Sequence, residues 1–159
     1  MVAARRTGRT RRAPRLPGSR YTVDASVFVN AFNPHETGHA DSLQILAAIQ
    51  ERGDPVIVPA LLIPEIASAV ARATGDRDGA LRYALATAAL PHLTIISLTP
   101  AVARQSAELA AAHRLRGADA VYVAIARRYG TTLVTRDDEQ RARSFPAVHC
   151  QTPREALER

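Results

Sequence analysis

Four carboxylates that are far apart in the chain occupy positions from which a metal site can be assembled: Asp24, Glu65, Asp119 and Asp137. Two follow short apolar runs and two lie in the first turns of helical stretches, so all four are predicted at one rim of a sheet. Like charges at one rim repel, and with oxygen-rich neighbours such as Ser26 and Thr135 they favour a hard divalent cation, Mg²⁺ or Mn²⁺. Such ions activate water and stabilise charge on phosphate, which is the chemistry of phosphodiester hydrolysis.

Asp24 and Glu65 each have a simpler interpretation as well. Asp24 lies between apolar residues where a strand must turn into a helix, a position typical of a helix N-cap. Glu65 flanks an apolar stripe in the first turn of its helix, where an acid complements the helix dipole. For each residue, the structural role and the role of metal ligand both stay open.

Asp119 is the most informative of the four carboxylates. It shares a helical face with Tyr122, Val123 and Ala126 at the spacing of a buried stripe. Because burying a lone carboxylate is costly, we expect Asp119 to cap its helix, to pair with a cation or to bind a metal ion.

Asp137 and Asp138 compete for one role within the run TRDDE, residues 135–139. One of them is expected to cap the helix that follows, while the other points into the site. We predict that Asp137 is the ligand and that Asp138 has a supporting position.

Short β-rich runs alternate with longer helical patterns from Tyr21 onward, which predicts an α/β fold. The predicted strands are 21–23, 56–58, 94–98, 132–135 and, more weakly, 148–150. The predicted helices are 26–32, 39–51, 64–74, 77–90, 100–113, 118–129 and 138–144. The expected architecture is a short parallel central sheet between two helical layers, a three-layer α/β/α arrangement. Because ligands of such sheets bind beyond the carboxyl ends of the strands, this order places the four acids together.

The basic charge of the chain belongs to its first twenty residues. They hold seven of the 21 basic side chains and no acid, and removing them changes the net charge from +6 to −1. The high isoelectric point therefore gives no evidence for a basic binding face. Residues 1–20 are predicted to be a disordered Arg-rich tail, either simply solvated or acting as an arm that attracts RNA, and residues 21–159 to be one folded domain.

No targeting or membrane segment is predicted. The arginine pairs of the tail are not followed by the apolar run of about 7 to 15 residues that a twin-arginine export signal needs. No apolar run reaches the roughly 18 residues of a membrane span. The single cysteine, Cys150, cannot form an internal disulfide, which fits a reducing compartment, and we expect a cytoplasmic protein.

Two short motifs imitate metal sites. The run HETGH, residues 35–39, matches a zinc-protease pattern, but Asn33, Pro34 and Gly38 disfavour the regular helix that such a site needs, so we predict a polar loop. The run DRDG, residues 76–79, is similar to part of a calcium loop but lacks the distal glutamate, so we predict a turn.

Four runs in order resemble the PIN-domain nucleases, and specifically the toxins of VapBC-type toxin–antitoxin pairs. They are VDAS (23–26), PALLIPEIASAVAR (59–72), RGADAVYVAIA (116–126) and LVTRDDE (133–139). The resemblance runs from about Tyr21 to Cys150. It implies a PIN-like fold and an acidic metal site of Asp24, Glu65, Asp119 and Asp137, with Ser26 and Thr135 in support and Asp138 or Glu139 as extra acids. It also implies a Mg²⁺-dependent endoribonuclease, a homodimer, and a small antitoxin that blocks the site.

Two other functional classes are weighed against the nuclease. A phosphate-handling enzyme of the P-loop or phospho-aspartate type is disfavoured because the chain contains no lysine. A catalytically silent binding module would keep the fold and the partners without turnover. For the surfaces, helix 77–90 is a candidate dimer or antitoxin face, and six arginines are candidate RNA contacts: Arg72, Arg77, Arg82, Arg114, Arg116 and Arg136.

Overall fold

Five short parallel strands form one sheet at the centre of the computed structural model, which describes residues 19–158. They are β1 (Tyr21–Val23), β2 (Val56–Pro59), β3 (Leu93–Ile96), β4 (Thr132–Val134) and β5 (Cys150–Gln151). Their order is β3-β2-β1-β4-β5, so the first strand lies at the centre between β2 and β4. Residues 1–18, on which most of the predicted tail falls, and residue 159 lie outside the described residues.

Helices cover both faces of the sheet. They are α1 (Ala25–Phe32), α2 (His39–Arg52), α3 (Leu62–Thr74), α4 (Arg77–Ala88), α5 (Pro100–His113), α6 (Gly117–Tyr129), α7 (Asp138–Ser144) and α8 (Pro153–Leu157). Helix α1 packs against α2 and α3, whereas α5 pairs with α6, which lies across β1, β2 and β4. The predicted three-layer α/β/α fold with a short parallel sheet is confirmed. Within residues 19–158, no helix combines the length and apolar character needed to cross a bilayer.

The core is built from aliphatic side chains of the central strands and of α6. Val23, Val58 and Leu133 are fully buried because helices cover both faces of the sheet. Burial in α6 extends beyond the predicted stripe and includes every residue from Ala120 to Ala126, since this helix lies between the strands and α5. Helix α6 therefore belongs to the core from Ala120 to Ala126, and its first turn, which contains Asp119, is less buried.

Four predicted elements have one boundary that is wrong by two residues, and one helix is missing from the prediction. Helix α3 begins at Leu62, two residues before its predicted start at Pro64, because a proline is tolerated in the first turn of a helix. Helix α4 ends at Ala88, two residues before its predicted end, and the Leu90 N–H donates to the Thr87 carbonyl in a tighter turn.

Strand β3 ends two residues earlier than predicted because the chain bends there, with the Thr99 N–H donating to the Ser97 carbonyl, and Leu98 is half exposed. Strand β5 begins at its last predicted residue, because the Val148 N–H instead donates to the Ser144 carbonyl at the end of α7. Helix α8 is absent from the predicted elements, and its five residues are too few for a periodic signal.

The two motifs that imitate metal sites have other roles. His35 lies in a turn and His39 is the first residue of α2, so the imidazoles do not share a helix and the predicted polar loop is confirmed. Asp76 is the N-cap of α4 and accepts the Gly79 N–H at 2.9 Å, so the predicted turn is the first turn of that helix.

Candidate metal site

The register of β1 and β4 brings two of the predicted acids to one edge of the sheet. Val23 lies opposite Val134 in the parallel ladder. The Asp24 N–H, one residue beyond β1, donates to the Val134 carbonyl at the end of β4 at 2.9 Å. The chain then leaves β4 and reaches Asp137 three residues later. Asp24 and Asp137 therefore meet where the two carboxyl ends lie side by side.

Asp24 is the buried member of the set, with 8% of its surface exposed. It is the N-cap of α1, and its Oδ2 accepts the Ser26 N–H at 2.9 Å. Burial raises the pKa of Asp24; the hydrogen bonds from Ser26 oppose that rise, and the negative charge of Asp137 adds to it. The capping role considered from the sequence is thus present, yet the cap does not remove the carboxylate from the neighbourhood of the other acids.

Glu65 is oriented from α6. The hydroxyl of Tyr122, which is fully buried, donates to Glu65 Oε2 at 2.7 Å and joins the first turn of α3 to the middle of α6. Burial raises the pKa of Glu65, and the charges of Asp24 and Asp119 raise it further, whereas the hydrogen bond from Tyr122 lowers it. Burial and the charges of Asp24 and Glu65 also raise the pKa of the Tyr122 hydroxyl, so it remains a donor.

Asp119 is a further carboxylate of the set with a raised pKa. It lies half-buried in the first turn of α6. Burial raises its pKa to about 6, with further contributions from the charges of Asp24 and Asp137, while the Arg116 guanidinium opposes the shift. Of the roles considered for Asp119, a nearby cation is therefore found in Arg116, but its one exposed guanidinium does not offset the surrounding negative charge.

Asp137 combines the two roles between which the sequence offered a choice. Its Oδ1 caps α7 by accepting the Gln140 N–H at 2.9 Å, and its Oδ2 lies 3.6 Å from the Arg116 guanidinium. The Asp138 side chain, at 86% exposure, turns to solvent and pairs with Arg141 at 3.0 Å. The structure thus brings Asp137 to the acidic edge and places Asp138 on the outer side of α7.

The two supporting hydroxyls hold the loop between β4 and α7. The Ser26 Oγ accepts the Arg136 N–H at 3.3 Å, and the Thr135 Oγ accepts the Asp137 N–H at 3.1 Å. Thr135 is fully buried, so its hydroxyl lies behind the edge. Both hydroxyls therefore fix the position of the Asp137 backbone.

The predicted RNA-contacting arginines separate into different environments. Arg116 lies at the acidic edge, where its guanidinium is 3.2 Å from Glu139 as well as close to Asp137. The Arg136 guanidinium turns away, donating to the Thr37 carbonyl at 2.6 Å and lying 3.6 Å from Glu36. The other four are exposed positions on or beside helices α3, α4 and α5: Arg72, Arg77, Arg82 and Arg114.

The donor chemistry of the edge fits a hard divalent cation, but the carboxylates do not form a complete cage. Within residues 19–158, no three His, Cys, Asp or Glu side chains lie close enough together to enclose an ion. Mg²⁺ does not require such a cage, because it keeps several waters and is usually bound by one or two carboxylates together with substrate phosphates. The all-oxygen donor set and the mutual repulsion of its members are the properties that a bound cation would satisfy.

Two residues that contact the acids are missing from the sequence interpretation of the site. Tyr122 was assigned only to the buried stripe of α6, although a buried phenol needs a hydrogen-bond partner and this need was the available signal. Gln140, with 1% exposure, lies near Asp24, and its backbone N–H donates to Asp137 Oδ1. Its position three residues after Asp137 predicts the backbone contact but not the inward direction of its side chain.

The fold and the acidic edge define an α/β domain of the PIN type. The model of the PIN domain family matches residues 21–146, which is most of the chain. The protein therefore belongs to the PIN domain family. None of the curated proteins compared with the chain matches its sequence.

Solved structures of toxin–antitoxin proteins have the same fold. VapC20 of Mycobacterium tuberculosis, described as a toxin that cleaves the sarcin–ricin loop, is 21% identical with a TM-score of 0.67, covering 82% of this chain and 99% of its own. VapBC2 of Rickettsia felis, bound to a promoter DNA fragment, is 16% identical with a TM-score of 0.63, covering 84% and 98%. FitAcB of Neisseria gonorrhoeae is 22% identical with a TM-score of 0.63, covering 84% and 97%. The predicted resemblance to VapC-type PIN toxins is confirmed as a likeness of fold.

Proposed function

We propose that this protein is a Mg²⁺-dependent endoribonuclease that acts in the cytoplasm as the toxin of a type II toxin–antitoxin pair. The observation that carries the proposal is the gathering of carboxylates from β1, α3, α6 and the β4–α7 loop, close enough for their charges to act on one another. Carboxylate oxygens are the ligands that Mg²⁺ prefers, which supports a divalent cation at this edge. RNA is proposed as the substrate on the basis of the resemblance to VapC-type toxins.

Asp24, Asp119 and Asp137 are the proposed ligands of Mg²⁺ or Mn²⁺, with Glu65 completing the site directly or through a water. The bound ion would supply activation of the attacking water and stabilisation of the charge that develops on the phosphate. The protein residues contribute orientation. Tyr122 holds Glu65 by one oxygen, and the caps of α1 and α7 fix the carboxylates of Asp24 and Asp137.

Arg116 is the proposed contact to the RNA backbone at this edge. Its guanidinium is 68% exposed and is shared between Asp137 and Glu139, at distances of 3.6 and 3.2 Å. A cation bound by Asp137 would weaken that pairing, and the guanidinium would then be available for the two oxygens of a phosphate. With such an exchange, metal binding would favour RNA binding, and RNA binding would favour metal binding.

The exposed face of α4 is a proposed binding surface for the antitoxin or for a second copy of the chain in a homodimer. Leu81 and Leu85 are separated by one helical turn and are 48% and 52% exposed. A separate groove of about 230 Å³ lies between α1, α2 and α4 and is lined by Phe28, Leu46 and Tyr83 among others, but not by Leu81 or Leu85. An antitoxin bound nearby would block the site if it inserted an arginine, because a guanidinium pairs with two carboxylate oxygens at once.

The test is cleavage of total RNA by the purified protein with Mg²⁺, with EDTA, and with Mg²⁺ restored after EDTA. We expect cleavage that EDTA abolishes and Mg²⁺ restores, and at least a 100-fold loss of rate in Asp24→Asn, since losing one charged group at such a centre typically costs several kcal/mol. Asp138→Asn serves as the matched control because the Asp138 side chain faces solvent. Equal cleavage by wild type and Asp24→Asn would count against the nuclease, and absence of cleavage with intact antitoxin binding would favour a silent binding module.

A further inference from the structure

Gln140 is a buried polar residue that is not among the proposed ligands of the metal site. It is the third residue of α7, and only 1% of its surface is exposed. Neither its Nε2 nor its Oε1 has a hydrogen-bond partner among residues 19–158. Burying an unpaired amide costs on the order of 1–3 kcal/mol, so a glutamine in this position requires a reason other than packing.

The surroundings of Gln140 point to the acidic edge. Its backbone N–H donates to Asp137 Oδ1 at 2.9 Å, and its own carbonyl accepts the Ser144 hydroxyl at 2.6 Å, so the backbone is fixed at both sides. The side-chain amide lies close enough to the Asp24 carboxyl to lower its pKa, although it does not complete a hydrogen bond of normal geometry. The side chain of Gln140 thus lies near the acid that follows β1, and its backbone N–H is bonded to the acid that follows β4.

We propose that Gln140 is a positioning residue for the metal site, one whose amide donates to Asp24 when a divalent cation draws that carboxylate into its binding orientation. The proposal rests on the proposed function, because it assigns Gln140 to the same cation. The Ser26 N–H already holds Asp24 Oδ2 from one side. A second donor from α7 would leave the carboxylate a single orientation, and it would fix the separation of Asp24 from Asp137.

Packing alone does not account for the residue. A methionine has nearly the volume of glutamine and no polar group that needs a partner, so it would fill the same space at lower cost. The chain offers a matched comparison in Gln151, a second buried glutamine, which is 7% exposed and whose Oε1 is also unpaired among the described residues. Gln151 lies on β5 and is not assigned to the acidic edge.

The experiment compares Gln140→Met with Gln151→Met in the full-length protein. The dissociation constant for Mn²⁺ is measured by electron paramagnetic resonance of the free ion, and stability is measured by urea unfolding in EDTA. We expect Gln140→Met to weaken Mn²⁺ binding at least tenfold, as loss of a residue that orients a metal ligand typically does, without loss of stability in EDTA. Gln151→Met is expected to leave Mn²⁺ binding within twofold of wild type.

Gln140→Asn provides a second variant in case the methionine variant does not fold. It keeps the amide but is one methylene shorter, so it is also expected to lose Mn²⁺ affinity. Unchanged Mn²⁺ binding in both variants, or reduced stability in EDTA with unchanged binding, overturns the positioning role. Failure of the wild-type protein to bind Mn²⁺ would instead refute the proposed metal site itself, so the two failures are distinguishable.

Discussion

Replacing Asp119 by asparagine is expected to stabilise the metal-free protein at neutral pH. The pKa of Asp119 is raised from 3.8 to about 6, chiefly by burial and then by the charges of Asp24 and Asp137. A carboxylate with a raised pKa in the folded state holds its proton more tightly there than in the unfolded chain. Its contribution to stability is complete below pH 3.8 and is lost as the pH rises through about 6. Above that pH, the ionised carboxylate opposes folding.

The size of the effect follows from the shift. About two pKa units at about 1.4 kcal/mol each set a ceiling of about 3 kcal/mol. Asp119 is half-buried, so solvent screens part of the repulsion, and a gain of about 1–1.5 kcal/mol is the expected value. An asparagine resembles the protonated acid, so the gain should be absent near pH 3.5 and complete above about pH 7.

The assay is urea unfolding followed by circular dichroism in EDTA, from pH 3.5 to 8, at one fixed protein concentration. Asp138→Asn is the control, since its side chain is 86% exposed and its removal should change stability by less than about 0.5 kcal/mol. Adding Mg²⁺ at pH 7.5 should stabilise wild type more than Asp119→Asn, so that wild type becomes the more stable of the two. A variant that is no more stable than wild type at pH 7.5, or equally stabilised at every pH, would refute the electrostatic reasoning.

Three further substitutions probe the neighbours of the acids. Tyr122→Phe removes the 2.7 Å hydrogen bond to Glu65 and should destabilise the protein by about 1.5 kcal/mol at pH 8 in urea unfolding, the lower end for a charged acceptor; no loss would contradict the bond. Arg116→Gln removes the cation that opposes the rise in the Asp119 pKa, so an NMR titration in EDTA should find this pKa higher than in wild type. A lower pKa would contradict the placement of the Arg116 guanidinium near Asp119. Leu85→Asp should change the free energy of unfolding by less than about 0.5 kcal/mol and weaken inhibition by the antitoxin at least tenfold. Loss of a dimer in sedimentation would instead assign the α4 face to a second copy of the chain. If neither antitoxin inhibition nor the oligomeric state changes, the α4 face is not a binding surface.

Much of the fold was predictable because its elements are short, apolar and punctuated by turn residues. Strand β1 and helices α5 and α7 begin and end where the sequence places them. The errors fall at the ends of elements: in the edge strands β3 and β5, at the start of α3 and at the end of α4. The five-residue α8 is missing from the prediction. For α8 a signal was present, because Thr152 and Glu155 have the spacing of a capping box and form one in the structure.

The candidate site was only partly predictable. The order of the residues indicates which acids follow strands and which begin helices. From the sequence, however, capping a helix and facing the metal site are alternative roles for a carboxylate. In the structure Asp24 and Asp137 do both, because a cap uses one oxygen of a carboxylate. The direction of the Gln140 side chain depends on how α7 packs behind the edge, and the pairing of Tyr122 with Glu65 joins residues 57 positions apart. Contacts of this kind arise from tertiary packing and leave no local pattern.

The most direct test of the acidic metal site is Mn²⁺ soaked into crystals of the protein and located by anomalous diffraction. We predict a peak at the carboxyl ends of β1 and β4, with oxygens of Asp24 and of Asp119 or Asp137 at about 2 Å from the ion. The peak should disappear in Asp24→Asn crystals. A peak elsewhere, or none at millimolar Mn²⁺ with an ordered edge, would contradict the claim that these carboxylates form a divalent-cation site.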